Sequence, residues 1–376
     1  MKRTVGVVAM IVMAAALAGP ASSTVAPPNV NAVKSKLVTE ALLLGVTRAG
    51  KRLVSVGEYG NILLSDDDGK TWRQATLVPT TVTLTAVHFA DEKTGWAVGH
   101  DTVVIKTTDG GENWVKQYGG GESDNALLSV YFKDASHGWA VGAFNYTVET
   151  TDAGKTWVER KTLAPPPAPG SKPAAAPVAP VEDVTAPVKP VEGADPFAAA
   201  EGDENHLNAM FAGPDANTLF VVAEAGAVYR SLDAGTTWEK ILTGYGGSFW
   251  GGLTAKDGSV YATGMRGNIW RSVDKGKTWG RLDTSGADQS IATGIQLPDG
   301  SFVFVGLGGQ VLYSQDGQKF TLTYRADRKG LNAVAVDGAD KLLVFGEAGV
   351  KDQSLTPRPE DIDVPLPAAA EATPPQ

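Results

Sequence analysis

Ser65–Trp72 (SDDDGKTW) is one of five copies of a single phrase, Ser/Thr-x-Asp-x-Gly-x-(Thr/Asn)-Trp. The others are Thr107–Trp114 (TTDGGENW), Thr150–Trp157 (TTDAGKTW), Ser231–Trp238 (SLDAGTTW) and Ser272–Trp279 (SVDKGKTW), with a worn sixth copy at Ser314–Phe320 (SQDGQKF). Their central aspartates, Asp67, Asp109, Asp152, Asp233, Asp274 and Asp316, are separated by 42, 43, 81, 41 and 42 residues. A period of about 40 to 45 residues in strand-rich units predicts a β-propeller with one four-stranded sheet per repeat.

Working outward from the second copy, Leu84–Phe89 alternates apolar and polar residues as a strand does. Gly95–Gly99 (GWAVG) reads as a second strand, Val103–Thr107 as a third, and Trp114 opens a fourth. The junction between second and third strands counts the units better than the octapeptide does. It reads Gly57–Gly60, Gly99–Thr102, Gly142–Asn145, Ala223–Gly226, Gly264–Gly267, Gly306–Gly309 and Gly346–Gly349. All but the second end in Gly or Asn, residues that tolerate the positive φ of tight hairpins. Seven junctions predict an all-β, seven-bladed β-propeller of four-stranded antiparallel blades, with six blades as the alternative. Too little chain follows Val350 for two outer strands, so the segment Val33 to Glu40 is expected to pair into blade seven and close the ring.

The domain spans residues 33–350, flanked and interrupted by segments of other character. Lys2 and Arg3 precede an apolar run, Val5 to Ala18, and then small residues. Residues 1–23 therefore read as a secretory signal peptide, cleaved between Gly19 and Ala26, with a run too short to span a bilayer. The chain has no cysteine, so neither a disulfide nor a lipidated cysteine is available. A periplasmic or otherwise exported soluble monomer is expected. The net charge of −9 becomes −11 without Lys2 and Arg3, which argues against a nucleic-acid partner. Residues 164–204, rich in Pro, Ala and Val, read as a disordered insertion between blades three and four, and the acidic Pro/Ala tail 351–376 as disordered too.

Aspartates hemmed by hydroxyls and glycine invite a calcium reading, but an EF-hand loop runs over twelve residues and ends in glutamate. The structural account is simpler. Asp accepts N–H bonds across its own turn, Ser or Thr completes the network, Gly takes the left-handed conformation, and Trp buries its ring against a neighbouring sheet. On this reading Asp67, Trp72, Asp109, Trp114, Asp152, Trp157, Asp233, Trp238, Asp274 and Trp279 are scaffold. No metal or cofactor is expected.

The octapeptides resemble the Asp-box, or BNR repeat, of sialidases and other secreted propellers. Joined to Gly-Trp-Ala-Val-Gly at 95–99 and 138–142, the repeat resembles the photosystem II stability/assembly factor family, including its relatives in non-photosynthetic bacteria. The resemblance covers roughly Leu42 to Val350. It implies seven blades, boxes on the rim away from the working face, no catalysis, and binding of a membrane-protein complex or its subunit. In a non-photosynthetic host it implies a complex such as an RND-type exporter.

A sialidase requires three convergent arginines, a tyrosine–glutamate pair and an acid/base aspartate. The Arg-Ile-Pro signature of that family is absent, and early arginines are restricted to Arg48, Arg52 and Arg73. Two mouth carboxylates could still serve a glycosidase, so a sialidase-like hydrolase or a carbohydrate-binding module is the alternative. His88, His100, His137 and His206 read as ordinary strand or loop residues. Propeller topology puts the second-to-third-strand loops opposite the boxes. That face gathers Glu58, Tyr59, His100, Asp101, Phe144, Asn145, Glu224, Arg266 and Glu347. The interblade loop adds Phe249 and Trp250, aromatic anchors suited to peptide capture, which as strand residues would instead pack inward. Arg230 and Arg271, each just before a box, match Lys106 and read as a repeat position on the third strand.

Overall fold

The computed structural model describes residues 30–119, 125–160, 205–337 and 341–357. Seven antiparallel meanders ring a common axis, and each is built from consecutive strands. Blade one comprises Leu43–Ala49, Arg52–Gly57, Ile62–Ser65 and Arg73–Gln74; blade two comprises Leu84–Phe89, Gly95–Gly99, Val104–Thr107 and Trp114–Tyr118. Blades three to six begin at Leu127, Leu207, Phe249 and Ile291, and blade seven at Leu331. The chain is a seven-bladed β-propeller.

The seven junctions recur because one backbone bond recurs. The second residue of each junction donates its N–H to the carbonyl of the residue just before the same blade's first strand: Glu58 to Leu42, His100 to Thr83, Ala143 to Ala126, Glu224 to His206, Met265 to Ser248, Leu307 to Ser290 and Glu347 to Gly330. At Gly57, Gly99 and Gly142 a Cβ would overlap the carbonyl that accepts this bond. Glycine ends the second strand because two backbones meet there.

The octapeptides are self-bonded turns, as the sequence predicts. In the first, Ser65 Oγ donates to Asp67 Oδ1 at 2.8 Å, Thr71 N–H donates to the same oxygen at 2.9 Å, and Thr71 Oγ1 donates to Oδ2 at 2.6 Å. Trp72 Nε1–H closes on Gly69 O at 2.9 Å. The box glycine then presses on the preceding blade. A Cβ on Gly154 would meet the Trp96 indole, on Gly235 the Trp139 ring, and on Gly276 the Phe220 ring. Trp96 and Trp139 are the tryptophans of the Gly-Trp-Ala-Val-Gly strands, so the two motifs are the two halves of one blade–blade joint.

A basic side chain fastens four of these joints by donating to the carbonyl of the residue before the box glycine. The pairs are Arg52 to Gly110 (2.9 Å), Lys106 to Ala153 (2.8 Å), Lys133 to Ala234 (3.3 Å) and Arg230 to Lys275 (3.0 Å). Arg230 and Lys106 thus share the repeat role expected of them. Arg271, on the equivalent strand, instead meets Asp257 at 3.4 Å.

The ring closes differently from the expectation. Asn332 Nδ2 of blade seven donates to Leu43 O of blade one at 3.1 Å, so the first strands of these blades lie side by side. The segment Val33–Glu40 does not pair as a strand. Val38–Glu40 is a short 3-10 turn whose Val38 is buried with Leu343 and Phe345. Physically, Thr39 O lies against Gly349 as Tyr245 O lies against Gly226, so this segment supplies the interblade loop and not the outer strand. Among the described residues blade seven has three strands. Its third, Gly349–Gln353, runs into the stretch expected as tail, and Ser354 O accepts from Tyr313 OH at 3.0 Å. Body and tail therefore meet after residue 350, because Leu355 also packs on the core of blades six and seven. Residues 1–23 and 164–204, and the tail from 358, lie outside the described residues.

The scaffold is expected to respond to acid in two stages. Burial lowers the His88 imidazole to about 4 from 6.5, and the neutral ring donates from Nε2 to Phe132 O at 3.1 Å. The folded value lies below the unfolded one, so stability is full above about pH 6.5 and drains as pH falls toward 4. Hydrogen bonds from Thr71 and Thr156 lower Asp67 and Asp152 to about 2, so their contribution drains only below the usual carboxylate range, from about 3.8. The His88 step is expected to cost about 1–2 kcal/mol, less than the full shift at about 1.4 kcal/mol per unit because the ring is partly exposed. Urea midpoints should fall in both windows, and His88→Gln should flatten the upper one. A wild-type profile flat from pH 6.5 to 4 would contradict this.

Candidate functional site

The second-to-third-strand loops form a rim around one face. In six blades the loop tip is a tight turn with two successive left-handed residues, as a two-residue hairpin of the right twist requires. The first of the two is Tyr59 (φ 56°), Asp101 (55°), Phe144 (54°), Ala225 (54°), Arg266 (55°) or Gly308 (64°). This position projects from the tip, and the residue after it is turned in. Tyr59 is 68% and Phe144 60% exposed, the two most exposed aromatics among the described residues. Bulky aromatics are disfavoured at positive φ and here gain no burial in return.

The other expected residues divide. Asp101, His100, Arg266 and Glu347 are exposed on the rim. Glu58 and Glu224 turn inward to cap the start of the first strand. Glu58 Oε1 accepts from Leu42 N–H at 3.0 Å and Glu224 Oε2 from His206 N–H at 2.9 Å. Asn145 is 5% exposed, and its N–H donates to Asn205 O at 2.9 Å. Its side chain is therefore withdrawn from the face. Phe249 is fully buried against Trp270 and Tyr245. It is not a mouth residue, because it stands where Leu43, Leu84, Leu127, Leu207, Ile291 and Leu331 stand in the other blades, each opposite the last residue of the second strand. Trp250, next on the same strand, is half-buried.

Phe144 has a neighbour from the next blade. The His206 ring stands edge-on to it at 4.9 Å, and His206 Nδ1 lies 3.6 Å from Glu224 Oε1. Blades one to three thus present Tyr59, then His100 and Asp101, then Phe144 with His206. The arrangement offers two apolar contacts flanking hydrogen-bonding groups, with no nucleophile and base set against each other.

The box face is differently equipped. Arg52 and Arg73 clasp Asp66 and Glu112 across the joint of blades one and two. A cleft of about 600 Å³ between the same blades is lined by Lys51, Arg52, Glu92, Lys93 and Asp109, but Arg52 is consumed by its partners. Leu232 and Val273, second residues of their boxes, are 52% and 72% exposed. Among the described residues no three His, Asp or Glu side chains converge on a metal position, and no helix is long and apolar enough to cross a membrane.

No family model matches the chain, and no curated protein matches it. Solved structures do. "YCF48 bound to D1 peptide" is 18% identical with a TM-score of 0.60, over 85% of this chain and 94% of that one. YCF48 from Cyanidioschyzon merolae is 14% identical with a TM-score of 0.55, over 85% and 96%. A virginiamycin B lyase from Staphylococcus aureus is 10% identical with a TM-score of 0.63, over 84% and 96%. At these identities the likeness establishes the shared propeller fold, which carries both binding and catalytic proteins.

Proposed function

We propose that this chain is an exported, non-catalytic propeller that holds an extended segment of a membrane-protein subunit on its loop-tip face, as an assembly or stability factor. The observation that carries this reading is the pair Tyr59 and Phe144, exposed aromatics held at positive φ. Stability alone would select Gly or Asn there, so the aromatics answer to something outside the fold. The Asp-box joined to the Gly-Trp-Ala-Val-Gly strand supports the assembly-factor family, and a peptide-binding role is supported by the similar fold of YCF48, which is bound to D1 peptide in its solved structure. The apolar start of the chain supports export to the periplasm, where a non-photosynthetic host offers an RND-type exporter as partner.

Affinity capture with the mature protein from detergent-solubilised envelope is expected to recover a membrane complex above a bait-free control. Recovery of nothing rejects the reading. The lyase among the similar folds favours a catalytic propeller as the second reading. Turnover of a fluorogenic glycoside panel, abolished by Asp101→Asn, would replace the first reading with a hydrolase.

A further inference from the structure

Blades one to three present their tips in chain order as Tyr59, Asp101 and Phe144, each the first of two left-handed residues. Two exposed aromatics therefore flank a carboxylate. Asp101 is itself exposed, and among the described residues its carboxylate has neither a hydrogen-bond donor nor a cation. Glu58 and Glu224 differ, since each accepts a backbone N–H of its own blade. The three junctions contain no Lys or Arg to offset the Asp101 charge.

Blade two also departs from the repeat in its backbone. The second left-handed residue is Gly60, Asn145, Gly226, Gly267 or Gly309 in the other blades, and Thr102 at φ 52° in this one. A β-branched residue is strongly disfavoured there. Thr102 is 2% exposed, its N–H donates to Asn125 O at 2.9 Å, and its Oγ1 donates to the Asp101 carbonyl at 2.7 Å. The strained residue thus fixes the peptide group that carries Asp101. Backbone strain held by surrounding bonds clusters at ligand-binding positions.

An unpaired carboxylate between two apolar contacts has a definite complement. A segment lying across the three tips brings apolar side chains to the rings and one further group to Asp101. An acid there is repelled, and an apolar group desolvates the carboxylate without pairing it. Lys or Arg answers the site, because its head meets the carboxylate while its stem continues the apolar surface. We propose that Asp101 selects the partner: the face takes an extended segment in which a Lys or Arg, on Asp101, stands between apolar residues on Tyr59 and Phe144. This rests on the functional reading of the loop-tip face and adds to it the charge of the ligand.

A library of random linear peptides displayed on phage, panned on the mature protein, tests this without a known partner. Enriched sequences are expected to carry Lys or Arg between apolar residues. Panning on Asp101→Lys should exchange that base for Asp or Glu and keep the apolar residues. A synthetic peptide of the enriched sequence, followed by fluorescence anisotropy, should bind Asp101→Asn roughly three- to tenfold more weakly, with the difference shrinking at high salt. Asn is as much at home at positive φ as Asp, so that loss reports the charge and not the turn. Enriched peptides that require Tyr59 and Phe144 but carry no base, or that bind Asp101→Asn as tightly as wild type, would overturn the assignment and leave the functional reading standing. Enrichment no greater than on the Tyr59→Gly/Phe144→Gly variant would overturn both.

Discussion

Trp114→Ala is expected to lower the folding free energy by about 3–5 kcal/mol, the cost of emptying a large aromatic from a packed core. Trp114 is fully buried among residues of blades one and two, its indole N–H donates to Gly111 O at 2.8 Å, and its ring stands edge-on to Phe89. Removing it opens the joint and orphans a carbonyl together. Trp157→Ala, at the same repeat position, should cost less, about 1–3 kcal/mol. Trp157 is half-buried and its Nε1 has no partner among the described residues. Urea unfolding of the two variants checks the order. Equal losses would contradict the claim that the tryptophans act through depth of burial at each joint.

The second large effect runs against the usual direction. Tyr59→Gly with Phe144→Gly is expected to leave the melting temperature unchanged or raise it, while abolishing capture of the membrane partner. Both residues sit at φ near 55°, where glycine relieves a strain of order 1 kcal/mol per site against its own larger unfolded-state entropy. Neither ring contributes to the core: Tyr59 faces solvent and Phe144 touches only the rim at His206. Interface anchors of this kind each contribute about 2 kcal/mol or more, so losing two should weaken binding by a thousandfold. A melting temperature well below wild type would mean the aromatics serve the fold.

The blade count was legible because glycine at the end of the second strand answers a backbone contact that every blade repeats. The box was legible because its bonds are local, within eight residues of sequence. Phe249 read as a loop aromatic when its neighbours alone were considered. Aligning it with Leu43, Leu84 and Leu331 places it in a buried column, a signal present in the sequence but visible only across repeats. Glu58 and Glu224 read as mouth carboxylates because a strand-capping acid and a ligand-binding one look alike without coordinates. Ring closure was not legible. Whether Val33–Glu40 forms a strand or a loop depends on where Thr39 meets Gly349, a contact across the whole length of the chain. The left-handed rim was half legible: Gly or Asn marked the second turn position, while the exposed aromatics Tyr59 and Phe144 stand one residue earlier.

The central claim is that the loop-tip face binds and the box face does not. Exposed apolar groups on the two faces allow a direct comparison: Tyr59 and Phe144 at the loop tips against Leu232 and Val273 in the boxes. Three baits are captured from the same envelope extract: the mature protein, its Tyr59→Gly/Phe144→Gly variant, and its Leu232→Ser/Val273→Ser variant. The account predicts that the first and third recover the same complex in the same yield and the second recovers none. Retention by the double-glycine bait with loss from the double-serine bait would contradict it and move the binding surface to the face of the Asp-boxes.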